Sequence, residues 1–138
     1  MQVQSLNDLR DEVHAEAVKK GWWPEKFQRM KREPAIIHML IVTEIAEATE
    51  EARKNMPPVY TVDDFGVIKT IDPFTMFPGD FTQDEQILKP EGELIELADA
   101  VIRILDYCGA MGWNIEQAIQ CKLKFNATRE MRHGGKKF

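Results

Sequence analysis

Two short stretches of this chain place acids where a helix usually keeps apolar residues. In TEIAEATEEAR (Thr43 to Arg53), Glu44 and Glu47 follow directly on the apolar run IIHMLIV. In LIELADAVIRIL, Glu96 and Asp99 repeat that spacing among Leu94, Ile95, Leu97, Ala98, Val101 and Ile102. Side chains three apart emerge on one helical face, and Glu51 continues the first stripe. A lone E-x-x-E is the ordinary pattern of a solvated face. Two pairs in the most apolar parts of two helices instead predict carboxylates facing one another inside a fold. Burying ionised carboxylates together is costly unless cations neutralise them. Oxygen donors without His or Cys select Mg²⁺ or Mn²⁺ over zinc or copper. Glu50 and Asp106 read as surface or supporting groups, and His38 as a packed helix residue.

A third stretch, KLKFNATR, spaces Lys122, Asn126 and Arg129 along one helical stripe. An Arg fork and a Lys point charge beside an amide suit phosphate oxygens. The same charges also complement a helix C-terminus. Arg132, His133, Lys136 and Lys137 add positive charge at this end of a chain whose formal net charge is -5. Metal-binding acids and phosphate-binding cations together imply a substrate with several phosphates, bridged to the protein by divalent ions. The acidic balance argues against a general nucleic-acid binder.

Four helices must position these groups. The first follows Ser5, where S-L-N-D has the form of a capping box, and stops at Gly21. The second begins near Pro34 and runs to about Lys54, closed off by Pro57-Pro58. The third spans about Glu91 to Met111 and ends at Gly112. The fourth is capped by Asn114, with Gln117 completing N-x-x-Q, and runs on through Met131. Between the second and third, residues 55–90 hold five of the seven prolines and the β-prone pieces VYTV and FGVIKTI. They are expected to form a long irregular or hairpin insertion, read either as a lid or as a surface excursion. The fold class expected is all-α, a four-helix bundle in a single domain over 1–138. Cys108 and Cys121 fit small core residues of a cytoplasmic protein. MQVQSLNDLR has no signal-peptide pattern, and no apolar run is long enough for a membrane. In GWW, Trp22 or Trp23 can stack on a base or anchor the turn between helices.

E-I-A-E, E-L-A-D and K-x-x-x-N-x-x-R, in that order on helices two to four, resemble the MazG-like nucleoside triphosphate pyrophosphohydrolases. GWW and the ending NATREMRHGGKKF are similar to short, phage-type members. The resemblance implies Glu44, Glu47, Glu96 and Asp99 as ligands of Mg²⁺ or Mn²⁺. It also implies that Lys122, Asn126 and Arg129 face the triphosphate of a ribo- or deoxynucleotide. The implied reaction gives nucleoside monophosphate and pyrophosphate, with Glu44 and Glu47 in the catalytic set and Glu47 orienting the attacking water. It further implies a homodimer or homotetramer in the cytoplasm, the host's if the protein is viral. Thr43 stands where the family pattern has its first glutamate, and the 55–90 insertion exceeds the compact connection of the smallest members. Thr43 keeps open a catalytically weak nucleotide-binding module of the same fold. A di-iron carboxylate bundle would need an E-x-x-H pair on each of two helices, and the sequence holds just one, Glu130 with His133.

Overall fold

The computed structural model describes residues 4–23 and 33–129. It is mostly helical, with α1 at Leu6–Lys19, α2 at Pro34–Arg53, α3 at Glu93–Met111 and α4 at Ile115–Ala127. Two small hairpins interrupt the helices, β1 (Tyr60–Val62) with β2 (Ile68–Thr70), and β3 (Thr82–Gln83) with β4 (Gln86–Ile87). The expectation of a mostly helical chain holds, and the hairpins fall where an irregular or hairpin insertion was expected. The described residues group into two compact units, 4–23 with 105–129, and 33–104, the division falling inside α3. No helix among them is long and apolar enough to cross a membrane.

In the first unit, helix ends cap one another. Ser5 and Asp8 form the capping box that S-L-N-D predicts, and Asn114 Oδ1 accepts from the Gln117 N–H at 3.0 Å. Glu116 Oε1 then accepts from the Leu6 N–H at 2.8 Å, while Asn7 Nδ2 donates to Asn114 Oδ1 at 2.9 Å. Donors left over in the first turn of each helix are thus met by the other, fixing α1 beside α4. Leu105, Cys108, Ala110 and Trp23 form the buried apolar set here. Gly109 lets α1 come close, because a Cβ on it would stand 2.6 Å from His14 Cβ. Cys121, expected in the core, is exposed.

The second unit carries the insertion. Pro34 opens α2 in its first turn, where its missing N–H costs nothing. Asn55, at φ 56°, turns the chain out of it. In the first hairpin, Tyr60 pairs with Thr70 and Val62 with Ile68. Asp63 Oδ1 caps its turn, accepting from the Phe65 and Val67 N–H groups at 2.9 and 2.8 Å. The second hairpin turns through Asp84 and Glu85, both at positive φ, the backbone of a two-residue type I′ turn. Val59, Tyr60, Thr61 and Ile71 are buried, Val59 completely.

Candidate metal centre

On α2 the buried residues are Ile37, Glu44 and Ala48, a single stripe at helical spacing. Glu44 is therefore turned inward by its register, at 8% exposure. On α3, Glu96 and Asp99 lie one turn apart, with Arg103 one turn further. One oxygen each from Glu44, Glu96 and Asp99 lies within 4.8 Å of the other two. Arg103 Nε donates to Glu44 Oε1 at 2.7 Å. The contacts run antiparallel, since Glu44 meets Arg103 while Glu47 bears on Glu96.

The electrostatics register this crowding. Glu96 is pushed up to about 7 by burial first, then by hydrogen bonding and charge repulsion with Glu47, hydrogen bonding with Glu44 and the Asp99 charge. Asp99 is also raised, by burial and by the charges of Glu44 and Glu47, against an opposing pull from Arg103 and Lys89. Such values mark a place that lacks positive charge. The donor set is three carboxylates, with no nitrogen or sulfur donor, which fits a hard divalent cation such as Mg²⁺ or Mn²⁺. The Arg103 guanidinium occupies one Glu44 oxygen and partly offsets the deficit.

Of the four acids singled out from sequence, Glu44, Glu96 and Asp99 come together. Glu47 stands exposed beside them, close enough to bear on Glu96. Thr43 is exposed and spends its hydroxyl on the Leu40 carbonyl at 2.6 Å, within its own helix. Lys122, Asn126 and Arg129 lie in the other unit and are all exposed. Because α4 ends at Ala127 and not at Met131, Arg129 falls past the helix, beyond the C-cap Thr128. That breaks the continuous stripe predicted for the three. Lys122 Nζ sits 5.2 Å from the centroid of Phe125. Arg132, His133, Lys136 and Lys137 lie outside the described residues.

The tryptophans separate. Trp23 is buried and donates its indole N–H to both Asp106 oxygens, at 2.9 and 3.0 Å. His14 Nδ1 meets the same carboxylate at 2.9 Å. This makes Trp23 a core anchor, and leaves Trp22, 61% exposed, as the one of the pair able to stack on a base. Of the two readings of Asp106, surface or supporting group, this favours the supporting one, since it holds two aromatic side chains in the first unit.

Arg103 and Tyr60 are neighbours of the acids on α2 and α3 that were not expected from the sequence. Arg103 was legible, since E-x-x-D-x-x-x-R puts it on the acids' own stripe. Tyr60 donates to Glu51 Oε2 and Oε1 at 2.8 and 3.0 Å, a contact across an irregular segment that no helical spacing announces. The groove between the hairpins, about 420 Å³ in volume, is lined by Thr61, Asp63, Lys69, Asp80 and Thr82 among others and by none of the clustered acids. Compared with known proteins, the chain matches no family model, no curated protein and no solved structure.

Proposed function

We propose that the chain is a nucleoside triphosphate pyrophosphohydrolase of the MazG-like kind, hydrolysing ribo- or deoxynucleoside triphosphates to monophosphate and pyrophosphate with Mg²⁺ or Mn²⁺. The observation that carries this reading is the convergence of Glu44, Glu96 and Asp99 from two helices onto one point. These three would hold the cation, which when bound would supply charge neutralisation for the phosphates and an acidified water. Glu47, exposed beside them, would orient the attacking water. Glu96 must give up its proton before it can serve as a ligand. Lys122, Asn126 and Arg129 are the candidate groups for the phosphates, and Trp22 for the base.

The proposed assembly is a homodimer or homotetramer. Ile36, Met39, Val42 and Ile45 are large apolar side chains left exposed on α2, and exposed apolar groups of this kind suit burial against a second copy. A catalytically weak nucleotide-binding module is the second reading, favoured by the Arg103–Glu44 ion pair, which takes up one ligand oxygen.

The test is product analysis on a panel of ribo- and deoxynucleoside triphosphates with Mg²⁺. Pyrophosphate and monophosphate should appear together, and Glu44→Gln and Asp99→Asn should abolish both. Orthophosphate alone, or activity untouched by these variants, overturns the reading. Nucleotide binding without turnover selects the second one.

A further inference from the structure

The chain between α2 and α3 begins with a segment bonded to both helices. Tyr60 gives its hydroxyl to both oxygens of Glu51 on α2. Its backbone N–H donates to the Glu91 carbonyl and its carbonyl accepts from the Glu91 N–H, both at 2.9 Å. Two residues earlier, the Pro58 carbonyl accepts from the Leu94 N–H, in the first turn of α3, at 3.1 Å. Val59, between them, is completely buried, and its carbonyl accepts from the Ile71 N–H at 3.0 Å.

The approach is as tight as backbone allows. Gly92 sits at φ +120°, and a Cβ there would stand 2.2 Å from the Pro58 carbonyl oxygen and 2.9 Å from that of Pro57. Only glycine meets both conditions. Glu44, Glu96 and Asp99, with Glu47 beside them, gather negative charge between α2 and α3, so something must stop the helices from parting. At one end of the acid stripe the Arg103–Glu44 pair does this. Glu51 lies two turns away along α2, and there the Tyr60 contact supplies the second hold.

We propose that residues 57–60 form a strap that sets the spacing of the acids, with Tyr60 as its positioning residue. The proposal rests on the reading that these acids hold a divalent ion, and it assigns a role to the start of the insertion. Tyr60 acts through Glu51 and the α3 entry, and does not itself bind the ion. Partners bonded directly to metal ligands matter by about ten-fold or more in affinity when removed, and Tyr60, one contact further out, should matter by less.

The experiment measures Mn²⁺ affinity of the full chain from the electron paramagnetic resonance signal of the free ion, with circular dichroism confirming the fold. Tyr60→Phe, which keeps the ring and loses the hydroxyl, is expected to weaken Mn²⁺ by several-fold, below the roughly ten-fold of a direct ligand partner. Gly92→Ala is expected to weaken it at least as much, or to unfold the chain. Glu51→Gln added to Tyr60→Phe should cost little more, since both changes break one contact. Wild-type affinity in a folded Tyr60→Phe protein overturns the strap. A further full loss on adding Glu51→Gln also overturns it, by making Glu51 a ligand. If the unaltered chain binds no Mn²⁺, the metal reading fails, and the strap with it.

Discussion

Arg103 Nε and Glu44 Oε1 stand 2.7 Å apart, pairing α3 with the buried acid of α2. The Glu44 side chain is 10% exposed and that of Arg103 35%, so water screens the pair only in part. Removing the cation strands a buried carboxylate among like charges. Arg103→Gln should therefore lower unfolding free energy by about 2 kcal/mol, less than for a fully buried pair. Urea denaturation in EDTA measures this, and Mg²⁺ should return part of the loss. Unchanged stability would mean that the pair holds nothing.

Glu96 makes stability depend on pH in a stated direction. Its value rises from 4.5 to about 7 in the fold, so the folded chain holds a proton that the unfolded chain releases. Between those values stability falls as pH rises. The contribution is fully present below about 4.5, and its loss is complete above about 7. In EDTA, the melting temperature of the wild type should fall relative to that of Glu96→Gln across this window. Parallel curves for the two proteins would contradict the assignment.

A divalent ion should reverse that trend. Ligands must be deprotonated to bind, so Mn²⁺ affinity should rise as pH climbs toward about 7 and above. At one hundred times its dissociation constant, the ion should add about 2.7 kcal/mol to stability. Thermal melts with and without Mg²⁺ test this, and the shift should vanish in Asp99→Asn. An equal shift in that variant would place the ion elsewhere.

Asp106 predicts a separate effect in the first unit. Asp106→Ala removes the charged acceptor of the Trp23 indole and the partner of His14. A cost of about 2 kcal/mol follows for lost hydrogen bonds to a charged group. Trp fluorescence during urea denaturation reads both the environment and the stability. A midpoint equal to that of the wild type would overturn the anchoring role.

The helices were legible because their signals are local. Ser5, Pro34, Gly21 and Gly112 mark ends that fall within about two residues of prediction, as boundary signals should. Glu44, Glu96 and Asp99 were legible because ionised groups at helical spacing inside apolar stretches must be neutralised wherever the helix packs. What escaped depends on the path of the backbone between helices. The β3–β4 turn uses Asp84 and Glu85 at positive φ, where Asn-Gly would have announced it. The end of α4 at Ala127 carries no glycine or proline signal, so the predicted stripe ran past it to Arg129. Trp22 and Trp23 are adjacent and alike in type. Only the position of Asp106 decides which one is buried.

If Glu44, Glu96 and Asp99 hold one divalent ion, a crystal of the chain grown with Mn²⁺ will contain it. An anomalous scattering peak is expected within bonding distance of carboxylate oxygens of all three residues, lost in the Asp99→Asn protein. Well-ordered side chains at these positions with no peak between them would contradict it.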